Sequence, residues 1–237
     1  MIFVENLTVG YGDYTVLEDV NLELGSGLHY LLGKNGSGKS TLLKAIAGLL
    51  RPSKGRVLVF NKDIHRVPRR EAVKIVGYAW QNPYAGFVEA TVRDELEFTS
   101  RLVGVELNSE IVEVLVPKHL LEKNPFNLSG GEAKRVSLAS VLALDQPVWL
   151  LDEPFDYLDS DGVEAVLRVI NYGLEKGKVV VVASSHLSYL YLLKPKQVLV
   201  LFEKRVAYRG SAESLMNNSL LKNLGVPSKE MICGPGN

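Results

Sequence analysis

A glycine-rich stretch between residues 33 and 41 has the composition and spacing of a phosphate-binding loop, G-x-x-x-x-G-K-[S/T]. The stretch reads Gly33-Lys34-Asn35-Gly36-Ser37-Gly38-Lys39-Ser40-Thr41. Its glycines allow successive backbone N–H groups to point inward at phosphate oxygens. Lys39 is then placed to reach the β- and γ-phosphates, and the Ser40 hydroxyl to ligate Mg²⁺. Because an apolar run precedes the loop and a helical pattern follows it from residue 40 to 50, the sequence predicts a nucleoside triphosphate site at a strand-to-helix turn.

Two acidic residues, Asp152 and Glu153, directly follow the apolar run at 148–151. Acids in this position lie at the carboxyl edge of a parallel sheet, where such sheets bind ligands. We expect Asp152 to hold Mg²⁺ through the water shell of the metal. We expect Glu153 to accept a proton from an attacking water or to orient it. The pair by itself also fits an acidic turn, but the glycine-rich loop upstream favours the catalytic interpretation.

The elements that must position these residues follow an α/β pattern. Residues 2–32 are rich in strand patterns, and later strands are predicted at 56–60, 75–79, 148–151, 179–183 and 198–202. Helical patterns at 161–175 and 186–193 alternate with the last strands, which is typical of a mostly parallel sheet covered by helices. Between 81 and 128 the pattern changes to short helical pieces broken by prolines. We therefore predict an α/β fold with an N-terminal antiparallel β lobe and an inserted α-helical lobe. The basic cluster at 66–70 is expected to be an exposed loop.

A third motif, residues 128–132 (Leu-Ser-Gly-Gly-Glu), precedes an apolar helix that we expect to reach Leu144. Ser129 is able to cap this helix, whose first backbone N–H groups form another anion-binding terminus. The motif alone also fits a linker fragment or an ordinary cap. At this distance before the acidic pair, however, it resembles the signature sequence of ABC-type ATPases. The resemblance covers nearly the whole chain, and it implies a P-loop NTPase core.

Other residues resemble motifs of that family in the same order along the chain. Tyr11 resembles the aromatic residue that stacks on adenine, with Tyr14 as the alternative. Gln81 resembles the catalytic, metal-contacting glutamine between the core and the helical lobe. Asp159 resembles the D-loop aspartate, and His186 the catalytic switch histidine. The other interpretations are a packed turn tyrosine, a surface amide and a core histidine for residues 11, 81 and 186. The departures are Glu132, where glutamine is usual, and Leu187, where an acid is common.

The resemblance implies ATP and Mg²⁺ as cofactors and a second ABC-type ATPase subunit as partner. Nucleotide contacts are then expected from residues 33–41 and from Ser129, Gly130, Gly131 and Asp159. Two such subunits, identical or homologous, face head to tail, so that each signature contacts the γ-phosphate held by the other. Hydrolysis then depends on dimer closure. We expect one ATP-binding domain over residues 2–237, with an α/β core at 2–80 and 141–237 and a helical lobe at 81–140.

Residues 81–98 resemble the energy-coupling-factor branch, whose ATPases power uptake of vitamins or of cobalt and nickel. The resemblance implies an integral membrane subunit that docks near Asn82–Phe98, on a surface expected to expose Tyr84, Phe87 and Val88. Residues 84–86 depart from the acidic or amide-rich sequence usual there, and residues 91–98 also fit an ordinary amphipathic helix. The alternatives are the ATPase of another ABC importer or exporter, or a soluble ABC-type ATPase such as one for iron–sulfur cluster assembly.

Composition excludes several other classes of protein. The 27 basic and 27 acidic residues balance, which argues against a nucleic-acid partner. The single cysteine, Cys233, excludes a disulfide framework. The longest apolar stretches have the length of buried strands and are too short to cross a bilayer. Together with the resemblance, this predicts a peripheral protein at the cytoplasmic face of the cell membrane.

Overall fold

The computed structural model describes residues 1–216 and 221, which fall into two compact units. The first unit holds residues 1–65 and the described residues from 181 onward, and the second holds residues 66–180. Cys233 lies outside the described residues. The strands are β1 (Ile2–Tyr11), β2 (Tyr14–Leu24), β3 (Gly27–Leu32), β4 (Lys54–Val59), β5 (Lys62–Asp63), β6 (Val76–Ala79), β7 (Val148–Asp152), β8 (Val179–Ser184), β9 (Gln197–Phe202) and β10 (Arg205–Gly210). The helices are α1 (Lys39–Ile46), α2 (Arg69–Ile75), α3 (Val92–Val103), α4 (Ser109–Leu115), α5 (Gly130–Leu142), α6 (Ser160–Glu175), α7 (Ser188–Leu193) and α8 (Ala212–Met216). Short 3-10 turns lie at Pro83–Gly86, Lys118–Leu120 and Pro125–Asn127.

The first unit contains an antiparallel sheet of order β2-β1-β4-β5. In β1 the side chains of Ile2 and Val4 are buried, and so are those of Leu7 and Val9. Alternate residues of a strand face the same side, and the irregularity between Val4 and Leu7 shifts that alternation by one residue. The register runs from Ile2 opposite Leu24 to the hairpin end at Tyr11 and Tyr14. This sheet confirms the predicted antiparallel β lobe.

The strands of the first unit that lead to the phosphate loop have the order β10-β9-β3-β8. Strand β3 is parallel to β9, with His29 opposite Gln197 and Leu32 opposite Val200. Strand β10 pairs antiparallel with β9, and the sequence analysis missed it. Its turn, Glu203 and Lys204, has φ of 46° and 65°, as in a type I′ hairpin, but lacks the Asn-Gly or Asp-Gly pair that announces such a turn.

In the second unit β6 and β7 are parallel, with Val76 opposite Val148 and Ala79 opposite Leu151. Their carboxyl ends therefore meet at one edge, where residues 80–81 follow one strand and Asp152 ends the other. The predicted basic loop at 66–70 is wrong in part, because α2 begins at Arg69; Arg69 and Arg70 are nevertheless exposed. Among the described residues, no helix has the length and apolar character needed to span a bilayer.

Candidate functional site

The phosphate loop of the first unit connects β3 to α1. Gly36 and Gly38 have φ of 79° and 101°, a region that residues with a side chain rarely adopt. Lys39 is buried, and its Nζ donates to the carbonyl oxygen of Gly33 at 2.8 Å and to that of Lys34 at 3.5 Å. Ser40 is half-buried on the first turn of α1. The loop thus holds an ammonium group at a helix N-terminus, two features that favour an anion.

Helix α1 is shorter than the predicted span of 40–50. Its last residue is Ile46, and Gly48 follows with φ of 71°. The N–H of Leu49 then donates to the carbonyl of Lys44 at 2.8 Å. This is the hydrogen-bond pattern by which a left-handed glycine ends a helix.

The aromatic candidates of the first unit lie at the hairpin between β1 and β2. Tyr11 is 50% exposed and Tyr14 is 67% exposed. The Lys204 ammonium lies 5.3 Å from the centroid of the Tyr14 ring, a cation–π distance. The cation therefore lies against one face of the Tyr14 ring, and both tyrosines keep exposed ring surface.

His186 follows β8 in the first unit and is exposed, so it is not a core histidine. Both backbone polar groups of His186 are hydrogen-bonded. Its N–H donates to Ser184 Oγ at 3.1 Å, and its carbonyl accepts from the Tyr30 hydroxyl at 2.6 Å. The imidazole therefore projects from a fixed backbone just beyond the carboxyl end of a strand.

Asp152 is the last residue of β7 and is 1% exposed. Its Oδ2 accepts a hydrogen bond from the Tyr78 hydroxyl at 3.0 Å. Its Oδ1 is buried and has no hydrogen-bond partner among the described residues. A buried carboxylate oxygen without a donor is unfavourable, and carboxylate oxygen is a ligand type that Mg²⁺ prefers. The residue therefore fits a bound Mg²⁺ or one of its waters.

The described residues contain no cluster of three or more His, Cys, Asp or Glu side chains able to hold a metal. Mg²⁺ is usually bound by one or two carboxylates together with substrate phosphates rather than by a protein cage. A single buried aspartate is consistent with a metal that arrives with a nucleotide.

Glu153 follows Asp152 and is 4% exposed. Its φ of 45° places a non-glycine residue in the left-handed region, which is uncommon and is found disproportionately at functional sites. The strained turn keeps this carboxyl group beside Asp152, at the edge where the strand ends.

Lys134 joins the two strand ends of the second unit, and the sequence analysis missed it. Its side chain is fully buried, and its Nζ donates to the carbonyls of Trp80 and Gln81 at 3.0 Å each and of Asp152 at 3.3 Å. Burial lowers the pKa of Lys134 to about 8, although the carboxylates of Asp156, Asp152 and Glu153 act to raise it. The available signal was its spacing from Ser137 and Leu138, which places it on the buried face of α5. The Gln81 side chain itself is exposed.

The signature residues form the start of α5. Ser129 Oγ accepts from the Glu132 N–H at 3.3 Å, and Glu132 Oε2 accepts from the Ser129 N–H at 2.8 Å, which confirms the predicted cap. The hydrogen bond from the Ser129 backbone lowers the pKa of Glu132. Glu132, at the position where glutamine is usual, therefore accepts the hydrogen bond of the Ser129 N–H at the start of this helix. Asp159 caps α6 in the same way, accepting from the Gly162 N–H at 2.8 Å.

Comparison with known proteins identifies the family. Residues 17–156 match the model of the ABC transporter family. The chain belongs to that family. It is 38% identical to an ABC transporter ATP-binding protein of Archaeoglobus fulgidus over 95% of this chain and 97% of the relative. It is 32% identical to the energy-coupling factor transporter ATP-binding protein EcfA of Methanosarcina acetivorans over 98% of this chain and 87% of the relative.

A solved structure shows the same fold. The cbiO1 protein of Clostridium perfringens, described as part of the ABC transporter complex cbiONQ, superposes with a TM-score of 0.76 at 27% identity, covering 94% of each chain. The predicted α/β fold and the resemblance to ABC-type ATPases are thereby confirmed. The protein is the ATP-binding subunit of an ABC transporter and an ATPase.

In this ABC ATPase a cavity of 360 Å³ in the second unit brings two predicted motifs together. Its lining residues are Gln81, Asn82, Pro83, Tyr84, Gly130 and Tyr157. Tyr157 has φ of 69° and is 66% exposed. A Cβ atom added at Gly130 would meet Tyr157 Cβ at 3.3 Å. The small signature residue therefore leaves room for the turn that precedes α6.

The expected docking surface of the ABC ATPase needs one correction. Val88 is 63% exposed, but Phe87 is only 7% exposed. The Phe87 ring packs edge-on against Tyr84 and Phe126, with centroids 6.0 and 6.1 Å apart. Tyr84 is half-buried and donates its hydroxyl to the Leu128 carbonyl at 2.9 Å. The prediction that Phe87 is an exposed anchor is therefore wrong, because its ring is buried against Tyr84 and Phe126.

The backbone that presents Val88 is held by a buried acid. Glu95, on α3, is 4% exposed, and its Oε2 accepts from the N–H groups of Val88 at 2.8 Å and of Glu89 at 2.9 Å. Two charge-assisted hydrogen bonds of this kind restrict a short loop more strongly than neutral ones. The exposed Val88 side chain therefore lies on an ordered segment.

Proposed function

We propose that this ABC ATPase is the ATP-hydrolysing subunit of an energy-coupling-factor-type transporter that takes up a vitamin or a transition-metal ion. It would act peripherally at the cytoplasmic face of the membrane. The similarity to the Methanosarcina EcfA protein and to Clostridium cbiO1 supports this branch, as does the resemblance of residues 81–98. We further propose one ATP-binding domain over residues 2–237, with its helical lobe at 81–140.

ATP binding is assigned to the phosphate loop and to Tyr11. The loop at 33–41 receives the phosphates at the N-terminus of α1, where Lys39 adds a positive charge. Binding requires Lys39 to exchange its contacts with the Gly33 and Lys34 carbonyls for phosphate oxygens. The half-exposed ring of Tyr11 stacks on the adenine.

The observation that carries the proposed hydrolysis is the carboxyl pair at the end of β7. Ser40, Gln81 and Asp152 are the residues that would hold Mg²⁺. When bound, the metal would supply positive charge that offsets the negative charge of the phosphates. Glu153 accepts the proton of the attacking water. His186 is placed to orient the γ-phosphate from its fixed backbone.

The dimer partner is a second ABC-type ATPase subunit, identical or homologous. Ser129, Gly130 and Gly131 would contact the γ-phosphate held by that partner, and Asp159 would lie beside them. Supporting this, Ser129 is exposed at the start of α5, a helix whose N-terminus favours an anion. Closure of the two subunits on ATP would supply the motion that drives transport.

The membrane subunit is proposed to dock near Asn82–Phe98. Of the three apolar residues expected there, Val88 is exposed and Tyr84 half-buried, while Phe87 is buried. The exposed charged side chains of Arg93 and Glu97 lie in the same segment. An apolar anchor with a charged rim suits an amphipathic helix.

Glu153→Gln tests the assigned chemistry. The amide keeps the shape of the side chain but cannot accept a proton, so ATP should still bind while steady-state phosphate release is lost. Glu164→Gln, at an exposed position on α6, is the matched control and should hydrolyse ATP normally. Normal hydrolysis by Glu153→Gln would remove this residue from the role of base.

The transporter assignment is tested by affinity purification from detergent-solubilised membranes of the native organism. We expect integral membrane subunits to co-purify, and we expect uptake of one vitamin or metal ion to fail when the ATPase is deleted. Val88→Asp should reduce the recovery of those subunits while the ATP dissociation constant stays unchanged. Co-purification with soluble iron–sulfur assembly proteins alone would instead favour the cluster-assembly alternative.

A further inference from the structure

Lys134 is a cation buried within the catalytic part of the second unit. It lies on α5, five residues after the signature serine, and its side chain has no exposure to solvent. Its ammonium donates three hydrogen bonds to backbone carbonyls rather than to a carboxylate. An ammonium has three donors, which match three acceptors.

Those three carbonyls belong to two segments with assigned roles. Trp80 and Gln81 carry the carbonyls that follow β6, and Asp152 carries the one that ends β7. The ammonium therefore joins the backbone of the glutamine segment, the backbone of the proposed magnesium ligand and the helix that begins at Ser129.

The position of this cation couples helix α5 to residues 80–81 and to Asp152. These carbonyls are costly to separate from the Lys134 ammonium, because the buried ammonium would lose charge-assisted hydrogen bonds with no water to replace them. A displacement of α5 is therefore transmitted to residues 80–81 and to Asp152. Small displacements of groups that align a reaction have large effects on its rate.

We propose that Lys134 is a positioning residue for ATP hydrolysis, which keeps Gln81 and Asp152 aligned with the signature helix. The inference rests on the proposed roles of Gln81 and Asp152. Lys134 does not touch the nucleotide, and it acts through the backbone that its ammonium holds.

A second buried lysine of the same unit provides a matched control. Lys178 is 7% exposed, and its Nζ donates to the carbonyls of Asp145 at 2.8 Å and Gln146 at 2.9 Å. It also pairs with the Asp145 carboxylate at 2.9 Å. These partners lie before β7, away from its carboxyl edge. Lys178→Met therefore removes a buried ammonium from carbonyl acceptors without touching the assigned site.

The test compares Lys134→Met with Lys178→Met in the full chain. Both variants should unfold at a lower temperature, because each removes the hydrogen bonds that a buried ammonium donates to backbone carbonyls. Only Lys134→Met should lower kcat, by about 10- to 100-fold, and raise the Mg²⁺ concentration that gives half-maximal activity. The dissociation constant for ATP without Mg²⁺ should stay within about threefold, as expected when ground-state binding is retained.

Hydrogen exchange gives a readout that does not depend on activity. Backbone amides at residues 79–82 and 152–156 should exchange faster in Lys134→Met and at the wild-type rate in Lys178→Met. If the folded Lys134→Met protein keeps the wild-type kcat and Mg²⁺ dependence, Lys134 contributes only to stability and the proposal is overturned.

Lys134→Gln decides the question if Lys134→Met does not fold. The amide has two N–H donors on a shorter side chain, so it cannot hold all three carbonyls, and kcat should fall while the Mg²⁺ requirement rises. Wild-type values for both quantities would overturn the proposal. Failure of the proposed function is distinguishable, because it appears as hydrolysis by Glu153→Gln whatever the Lys134 variants do.

Discussion

Phe87→Ala tests how much the buried Phe87 ring contributes to the stability of the second unit. Phe87 is 7% exposed and contacts the rings of Tyr84 and Phe126. Truncation of a buried phenylalanine costs about 3–5 kcal/mol, and within that figure each edge-to-face ring pair accounts for about 0.5–1.5 kcal/mol. Since whole domains are stable by only about 5–15 kcal/mol, we expect the unfolding midpoint of the second unit to fall substantially.

The assay is urea denaturation followed by tryptophan fluorescence. Both tryptophans of the chain, Trp80 and Trp149, lie in the second unit, so the signal reports on the part of the protein that contains Phe87. Val88→Ala is the control, and because Val88 is 63% exposed its unfolding free energy should change by no more than about 0.5 kcal/mol. If Phe87→Ala costs less than about 1 kcal/mol, far below the range for a buried ring, Phe87 is not packed as described and an exposed anchor again becomes tenable.

Three further perturbations follow from the described contacts. Tyr11→Ala should weaken ATP binding by about 1–3 kcal/mol, the range for stacking on a base, while Tyr11→Phe stays near wild type by calorimetry; a larger loss in Tyr14→Ala would transfer the role to that residue. Gly173→Ala places a Cβ 2.4 Å from Trp149 Cζ3 and should destabilise the protein by about 1–3 kcal/mol. The control, Gly25→Ala, has open space around it and should be nearly neutral. Equal melting temperatures of the two variants would refute the close packing of α6 on β7. Burial lowers the pKa of His29, assisted by Lys196 and Arg209, so the unfolded chain takes up the proton first and stability should fall as the pH drops below about 6.5. The drop in unfolding midpoint between pH 7.5 and 5.5 should be smaller in His29→Asn, and an equal drop would contradict the assignment.

Much of the candidate nucleotide site could be predicted because its parts are contiguous in sequence. The loop at 33–41 carries its glycines, lysine and hydroxyls within a single turn, and its backbone conformation follows from the residue types. The acidic pair was found for a related reason, since an apolar run predicts a buried strand and the next residues must lie at its end. The signature was recognisable because Ser129 and Glu132 form a local cap.

The residues that the sequence could not assign depend on contacts between distant segments. In the sequence, Lys134 is simply a charged residue of a predicted helix. Only the pairing of β6 with β7 brings the carbonyls of Trp80, Gln81 and Asp152 to its ammonium. The sequence around Phe87 does not show whether its ring is exposed or buried. Phe126, which lies 39 residues later in the chain, packs against this ring and helps to bury it. Strand β10 forms because β9 offers an edge, although its own residues lack an apolar run. Motifs whose residues are close in sequence can therefore be predicted from the sequence. Burial and hydrogen bonds between distant residues depend instead on which segments the tertiary structure brings together.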